Sequence, residues 1–319
     1  MPSQVLQDSI KAGAAPAPAK KTIQPSPGPS HGYDPNFTDQ VIAATGPNAH
    51  RRLAQVMPSL VRHLHDFARE VNLTVSEWKA AVDFINAAGQ MSNDKRNETQ
   101  LVCDILGLES LVDEISSKIL QEDASPGSIA STPSAILGPF YRKDAPVLPN
   151  GSSIVAPETK EAFSKDLTYF SGRVLDNKGD PIPDAVIDIW HTAPNGMYEQ
   201  QDPDQPEFNL RGRFRTDTSG RYSLYCLRPA PYPVPDDGPG GLLLKLLDRH
   251  PWRPAHIHVI IIANGFRPLT TQLFDKGDKY LKNDTVFAAK EGLEVDFIAR
   301  PENEDGNWTL TYDFVLSPA

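Results

Sequence analysis

The first third of the chain carries apolar residues at helical spacing. Between residues 53 and 71 an apolar side chain recurs at every third or fourth position, which predicts an amphipathic helix. A second helix is expected to follow Thr74 or Ser76, since either hydroxyl can cap its first turn. The residues that this second helix is expected to bury are Trp78, Val82, Phe84 and Ile85. A third helix is predicted over residues 98–120.

From about residue 166 the period of the pattern changes to two, which is typical of strands with one buried face. Turn signals at Ser219-Gly220, Asn264-Gly265 and Asp305-Gly306 each separate two such runs and predict hairpins. Several strands joined by turns, with no helices alternating between them, indicate a β-sandwich. The expected fold is therefore mainly β with an α-helical N-terminal part.

These patterns divide the chain into four segments. Residues 1–34 are rich in Pro and Ala and are predicted to be a disordered tail, because this composition cannot bury a core. A helical domain is expected over residues 35–122, a linker over 123–165 and the β-sandwich over 166–319. The linker contains the apolar stretch 135–141, which is expected to lie against another part of the protein.

Charge and cysteine content narrow the possible partners. The net charge of −10 and the pI of about 5.3 argue against a nucleic-acid-binding or anionic-membrane-binding surface. No apolar run approaches the ~18 residues of a membrane span, so membrane insertion is not expected. The two cysteines, Cys103 and Cys226, argue against a disulfide framework. A reducing, cytoplasmic location is therefore expected.

The candidate chemistry centres on Arg253-Pro254-Ala255-His256-Ile257-His258, which precedes an apolar run. Successive side chains of a strand point to opposite faces, so His256 and His258 share a face and Ile257 takes the other. Two imidazoles on one face can bind a metal ion, since neutral imidazole suits iron, zinc, copper and nickel. The alternative is a strand with two hydrogen-bonded histidines and no metal. Further ligands must come from elsewhere in the chain.

Tyrosines are candidates for the missing ligands. Tyr198 follows a buried-looking strand at a Pro/Gly turn, and Tyr141 lies in the apolar linker stretch. A phenol has a pKa near 10, but a trivalent cation can drive its ionisation. Two phenolates and two imidazoles form a hard, anionic set suited to Fe(III). Spacing does not choose among the tyrosines, because the following are no less plausible: Tyr222, Tyr225, Tyr232, Tyr280 and Tyr312.

A family resemblance makes that choice. Five motifs occur in order: Gly138-Pro139-Phe140-Tyr141, Trp190-His191 with Asn195-Gly196-Met197-Tyr198, Asn209-Leu210-Arg211-Gly212, Arg253 to His258, and Thr270-Thr271-Gln272. Together they resemble the intradiol ring-cleavage dioxygenases, specifically the catechol and hydroxyquinol 1,2-dioxygenases. The resemblance runs from about residue 45 to the C-terminus.

The resemblance implies a role for each candidate site residue. Tyr141, Tyr198, His256 and His258 hold one Fe(III) per subunit in this interpretation, and Tyr198 is the phenolate that leaves when a catechol chelates the iron. Arg253 and Gln272 face the substrate ring, where charge builds during the reaction. The pocket walls implied by the resemblance are Leu111, Ile136, Gly138, Pro139, Phe140, Tyr232, Pro233 and Val286. Asp113 is the polar neighbour that could meet the third hydroxyl of hydroxyquinol.

The implied activity is the opening of catechol by O2 to cis,cis-muconate, in the catabolism of aromatic compounds. Cleavage of hydroxyquinol to maleylacetate is the alternative within the family. The resemblance also implies a homodimer paired through the N-terminal helices, with a phospholipid-like molecule at the interface. Two alternatives come from other classes: a zinc or iron(II) hydrolase with a third His or carboxylate ligand, and a non-catalytic β-sandwich binding module.

Overall fold

A computed structural model describes residues 34–122, 127–301 and 306–319 of the chain. The predicted tail lies outside the described residues, except for Asp34, and so do residues 123–126 of the predicted linker. The chain divides into two compact units, Met1–Asn86 and Ala87–Ala319. The domain limits expected from the sequence stay a prediction.

The first unit is helical. It contains α1 (Phe37–Ala43), α2 (Arg51–Glu70) and the beginning of α3 (Val75–Met91). Thr74 caps α3, because its hydroxyl accepts a hydrogen bond from Glu77 N at 3.3 Å while the Glu77 carboxylate accepts one from Thr74 N at 2.8 Å. The predicted burial of Trp78 and Ile85 is wrong, since these side chains are 55% and 62% exposed.

The predicted third helix is two helices, α4 (Glu98–Ile105) and α5 (Leu108–Glu122). The break falls at Gly107, whose φ of +71° lies in the left-handed region that glycine adopts without strain. A Cβ on Gly107 would also lie 3.2 Å from the Phe287 ring. The apolar period continues across the break, so the pattern alone predicted one long helix.

Twelve strands are described in the second unit. Their bounds are β1 (Leu167–Asp176), β2 (Val186–Trp190), β3 (Arg211–Arg215), β4 (Arg221–Leu227), β5 (Tyr232–Pro233), β6 (Trp252–Arg253), β7 (His256–Ile262), β8 (Leu269–Asp275), β9 (Glu294–Val295), β10 (Ile298–Ala299), β11 (Trp308–Thr311) and β12 (Phe314–Leu316). Two short helices belong to the same unit: α6 (Pro157–Lys160) precedes β1, and α7 (Pro239–Leu246) lies between β5 and β6. None of the described helices combines the length and the apolarity needed to cross a membrane.

The strands form two five-stranded sheets and a two-stranded ribbon. One sheet has the order β3-β2-β7-β8-β9, and the other has the order β10-β11-β1-β12 with β4 also paired to β1. Phe170, Leu224 and Phe314 of one sheet share a buried apolar cluster with Ile187 and Ile257 of the other. The predicted class, a β-sandwich with a helical N-terminal part, is confirmed.

The three turn predictions have different outcomes. Asn264-Gly265 joins the antiparallel pair β7 and β8, as predicted. The hairpin prediction at Ser219-Gly220 is wrong, because β3 pairs with β2 while β4 pairs with β1 in the other sheet. This turn therefore carries the chain from one sheet to the other. β10 and β11 are antiparallel, but residues 302–305 between them lie outside the described residues.

Candidate metal centre

Strand β7 places His256 and His258 on one face of its sheet. Their Nε2 atoms lie 3.1 Å apart, and both side chains are buried. Ile257 points to the opposite face and contributes to the sandwich core. Neighbouring strands β2 and β8 pair with β7 on both sides, so the two imidazoles stand on a central, braced strand. The predicted sharing of one face is confirmed.

Two tyrosine hydroxyls complete a cluster with these imidazoles. The Tyr198 hydroxyl lies 3.0 Å from His258 Nε2 and 3.1 Å from the Tyr232 hydroxyl. The Tyr232 hydroxyl in turn lies 3.5 Å from His256 Nε2. Tyr232 is held in the ribbon β5–β6, where it pairs with Arg253, three residues before His256. Four potential ligand atoms therefore converge in a buried space.

Both imidazoles are neutral electron-pair donors in this environment. Burial lowers the pKa of each well below the ordinary histidine value, and the nearby Arg253 guanidinium lowers both further. His256 Nδ1 hydrogen bonds to the Pro254 carbonyl at 2.7 Å, so Nδ1 carries the proton and Nε2 presents its lone pair to the cluster. The Trp190 ring stacks on His258, with the ring centroids 4.7 Å apart, and fixes the plane of that imidazole.

This donor set fits a metal ion. Two imidazole nitrogens bound at right angles, each about 2.1 Å from a metal, lie about 3 Å apart, which matches the observed separation of the Nε2 atoms. Without a cation, burial and then the neighbouring Tyr232 raise the pKa of the Tyr198 hydroxyl well above its ordinary value. A bound cation reverses this preference, because it stabilises the phenolate. The residues present are therefore suited to a hard, highly charged cation.

The hydroxyl of Tyr141, predicted as the fourth ligand, lies elsewhere. It donates a hydrogen bond to Asp188 Oδ2 at 3.4 Å, and its half-buried ring packs on Trp190 with a centroid distance of 5.1 Å. Burial and the Asp188 carboxylate both raise the pKa of this phenol. An adjacent anion opposes formation of a phenolate, so the environment of Tyr141 is unsuited to a ligand. Tyr232, which the resemblance implied to be a pocket wall, occupies the fourth position of the cluster.

Arg253 lies directly against the cluster. Its Nη1 is 3.0 Å from His256 Nε2, and two further nitrogens bind the Asp284 carboxylate at 3.2 Å each. Arg253 Nη2 also donates to Gln272 Oε1 at 2.8 Å, while Gln272 Nε2 donates to the Ile136 carbonyl at 2.7 Å. Gln272 thus uses its amide to hold Arg253 and the linker stretch rather than to point into open space.

Comparisons with known proteins identify the family of this chain. Residues 136–318 match the family model described as dioxygenase, and residues 50–123 match the catechol dioxygenase N terminus. An intradiol ring-cleavage dioxygenase of Aspergillus niger is 43% identical over 286 residues, which cover 89% of each chain. The chain belongs to the intradiol ring-cleavage dioxygenase family. The resemblance inferred from the motifs is confirmed.

Further relatives cover both substrate classes of this family. A catechol 1,2-dioxygenase of Candida albicans is 46% identical over 289 residues, covering 88% of this chain and 91% of the relative. The crystal structure of a hydroxyquinol 1,2-dioxygenase from Pseudomonas putida superposes with a TM-score of 0.76 at 39% identity, covering 89% of this chain and 98% of that one. A catechol 1,2-dioxygenase structure from Pseudomonas arvilla has a TM-score of 0.74 at 32% identity, covering 89% and 91%.

Family membership disfavours the alternatives from other classes. A hydrolase built on the histidine pair needs a third His or carboxylate ligand close in space. Within residues 34–122, 127–301 and 306–319, no group of three or more His, Cys, Asp or Glu side chains could hold a metal ion. The side chains next to the histidine pair are the phenols of Tyr198 and Tyr232 instead.

The apolar linker stretch lies beside the cluster. Ile136, Gly138 and Phe140 are buried, and the Phe140 ring packs on Tyr198 with a centroid distance of 5.0 Å. Gly138 has a φ of +77°, and a Cβ at this position would lie 3.2 Å from His258 Cε1. Only glycine therefore allows the wall to approach the imidazole so closely. Pro139 between them is half-buried.

The other residues predicted to line the pocket do not all lie near the cluster. Val286 is buried, and its backbone N–H donates to Asp284, the partner of Arg253. Pro233 and Phe140 line a cavity of about 670 Å³ beside the cluster. Leu111 is 53% exposed on α5, so this structure does not place it in a pocket wall. Asp113, the predicted partner for a third substrate hydroxyl, forms an ion pair with Lys290.

Two buried ion pairs support the cluster and were missed in the sequence. Arg211 Nε binds the Glu199 carboxylate at 2.5 Å, lies over the Tyr198 ring and holds the Phe140 carbonyl at 2.9 Å. Its position in the Asn209-Leu210-Arg211-Gly212 motif was a usable signal. The Arg253–Asp284 pair had no such signal, because 31 residues separate its members and Asp284 lies in no recognised motif.

Proposed function

We propose that this chain is a non-haem Fe(III) dioxygenase that cleaves catechol between its two hydroxylated carbons to give cis,cis-muconate. The convergence of two phenols and two neutral imidazoles beside a buried guanidinium carries this proposal. Membership of the intradiol ring-cleavage family supports the reaction type. Both oxygen atoms of O2 enter the product, so catechol and O2 together account for every atom of the muconic acid.

We assign the metal ligands to Tyr198, Tyr232, His256 and His258, with one iron per subunit. The hydroxyl and nitrogen distances of 3.0–3.5 Å around this ring of atoms support the assignment. Bound Fe(III) supplies a Lewis acid for the two catechol oxygens and the redox contact with O2. Tyr141 is left out of the set because its hydroxyl lies against the Asp188 carboxylate.

The residues around the ligands bind and orient the substrate. Tyr198, ionised to a phenolate, would accept a proton from a substrate hydroxyl at its own oxygen and so act as a general base. Arg253 offsets the negative charge that builds on the ring, and it needs no reorganisation because Asp284 and Gln272 already hold its guanidinium. Ile136, Gly138 and Phe140 exclude water from the flat ring.

The ion pair between Asp113 and Lys290 supports catechol rather than hydroxyquinol as the preferred substrate. The Asp113 carboxylate is engaged by Lys290, which also donates to the Ser134 carbonyl at 3.3 Å. A third hydroxyl on the ring would therefore have to compete with an ammonium for this carboxylate. We expect kcat/KM to be highest for catechol, lower for hydroxyquinol and negligible for protocatechuate, whose ring carboxylate would meet an apolar wall.

We further propose a homodimer formed through the N-terminal helices, with a phospholipid-like molecule at the interface. The apolar face of α2 supports this, because Leu53, Val56, Leu60 and Leu64 are 54%, 38%, 45% and 55% exposed. Apolar surface of this extent is unusual outside an interaction site. Sedimentation of the purified protein, followed by lipid extraction, tests the proposal. A monomer without lipid would refute it.

The proposed activity is tested by one preparation of the purified protein. Iron should be present at about one equivalent, and catechol in the presence of O2 should give a product absorbing as cis,cis-muconate. The same assay with hydroxyquinol and with protocatechuate compares kcat/KM for the three substrates. Absence of catechol cleavage by the iron-loaded protein would refute the proposal, and faster turnover of hydroxyquinol would reassign its substrate.

A further inference from the structure

Two carboxyl groups lie close together behind the pocket wall. Asp104 is on the last turn of α4 and Glu109 is on the first turn of α5, and the bend at Gly107 brings them together. Asp104 is 1% exposed, and its buried Oδ1 atom has no hydrogen-bond partner among the described residues. Glu109 belongs to none of the motifs that carry the family resemblance.

Asp104 carries the proton of this pair. Burial, followed by the neighbouring Glu109 side chain, raises the pKa of Asp104 to about 9. Of the other charged groups that act on it, Arg253 lowers this pKa and Asp284 raises it. The neighbouring thiol on the same helix is Cys103, whose pKa is raised by burial and then by Asp104. At neutral pH Asp104 is therefore protonated.

Glu109 holds the peptide group between Ile136 and Leu137. Its Oε1 accepts a hydrogen bond from Leu137 N at 2.9 Å, and its Oε2 accepts one from Gln100 Nε2 at 3.0 Å. The carbonyl of the same peptide group, that of Ile136, accepts a hydrogen bond from Gln272 Nε2 at 2.7 Å. Both polar atoms of one peptide group in the pocket wall are thus fixed by side chains from opposite sides.

This peptide group connects the carboxyl pair with the reacting region. The other end of Gln272 holds Arg253 at 2.8 Å, and Gly138, two residues beyond Ile136, lies against the His258 ring. A displacement of the peptide would therefore move the wall that contacts the substrate and would loosen the amide that holds the guanidinium.

We propose that Glu109, held in place by a hydrogen bond from Gln100, is a positioning residue for the substrate pocket. It fixes the peptide between Ile136 and Leu137, and through it the wall against which the aromatic ring lies. The inference rests on the proposed ring-cleaving function. It goes beyond that function by assigning to helices α4 and α5 a part in substrate affinity.

The first test replaces Glu109 by Ala, with Glu114→Ala as the matched control on the exposed face of α5. Loss of one charge-assisted hydrogen bond from the wall should raise KM for catechol about tenfold, with a smaller change in kcat. Anaerobic titration of the iron-loaded protein with catechol should show the same weakening in Kd, independently of turnover. The Glu114→Ala protein should match the wild type in both measurements.

The second test uses the proton on Asp104. Asp104→Asn has a side chain of similar shape but cannot ionise, so KM at neutral pH should remain within about twofold of the wild-type value. In the wild type, loss of the Asp104 proton as pH rises through about 9 places two like charges side by side, and KM should rise. Asp104→Asn should remove this rise, whereas ionisation of catechol itself affects both proteins equally.

The outcomes separate the two proposals. If the wild type does not cleave catechol, the proposed function fails. If the wild type cleaves catechol and Glu109→Ala binds it with an unchanged Kd, the positioning role is refuted. Should Glu109→Ala not fold, the pH profiles decide: equal alkaline behaviour of the wild type and Asp104→Asn contradicts the inference.

Discussion

Tyr232 and Tyr141 are both close to the histidine-bearing strand, but their hydroxyls have opposite surroundings. The Tyr232 hydroxyl lies 3.1 Å from a second phenol and 3.5 Å from an imidazole nitrogen, and its side chain is 5% exposed. The Tyr141 hydroxyl lies 3.4 Å from the Asp188 carboxylate on a half-buried side chain. Only the Tyr232 hydroxyl shares its space with other groups that can donate electron pairs to a cation.

The difference shows what makes a phenol suitable as a metal ligand. Several electron-pair donors around one buried point together stabilise a metal ion that binds there. A single carboxylate beside a phenol instead accepts its proton in a hydrogen bond and opposes its ionisation. Position in the sequence beside a recognised motif does not distinguish these cases, whereas the groups around each hydroxyl do.

The largest expected effect comes from removing an imidazole of the cluster that contains Tyr232. His256→Ala and His258→Ala should each lose nearly all bound iron and all ring cleavage, because each removes one of the four proposed ligand atoms. Metal analysis of the purified variants measures this. Retention of one iron per subunit in both variants would show that the cluster is not the metal site.

A smaller effect is expected from changing the cation beside this cluster. Arg253→Lys keeps the charge but cannot bind Asp284 through two nitrogens and reach Gln272 as well. We expect kcat for catechol to fall about 10²-fold, as when one preorganised charge-stabilising group is lost, while iron is retained. Steady-state kinetics and metal analysis on the same sample check this. An unchanged kcat would remove Arg253 from the reaction.

The smallest effect is expected from replacing Asp188, the hydrogen-bond partner of Tyr141. Burial raises the pKa of Asp188 to about 6, so the folded state binds this proton more tightly than the unfolded state does. Its contribution therefore makes the protein less stable as pH rises from about 4 to about 6. Asp188→Asn should flatten this part of the profile of Tm against pH and leave catechol turnover unchanged. A loss of iron in Asp188→Asn would place this region in the metal site after all.

The features that follow from local periodicity could be predicted from the sequence. Alternation along β7 placed His256 and His258 together, and the residue types before the second helix offered Thr74 and Ser76 as its cap, of which Thr74 takes that role. The break at Gly107 was missed because the apolar pattern continues through it. Ser219-Gly220 looked like a hairpin turn because local turn chemistry does not specify which sheet the next strand joins.

The choice between tyrosines depended on the long-range fold. Tyr232 reaches the histidines because the ribbon β5–β6 pairs it with Arg253, across a helix and two loops of intervening chain. Its prolines on both sides, Pro231 and Pro233, indicated only a stiff, extended backbone. The Arg253–Asp284 pair and the Glu109 contact with Leu137 are likewise contacts between distant segments, which no local pattern could predict.

The most direct test of the central claim compares Tyr232→Phe with Tyr141→Phe. Iron bound by phenolates absorbs visible light by charge transfer from ligand to metal, so each purified variant reports on its own tyrosine through its colour and iron content. The ligand assignment predicts that Tyr141→Phe keeps the wild-type band and iron stoichiometry, and that Tyr232→Phe loses most of its iron and shows a weakened, shifted band. The reverse result, with an altered band in Tyr141→Phe and a wild-type spectrum in Tyr232→Phe, would contradict it.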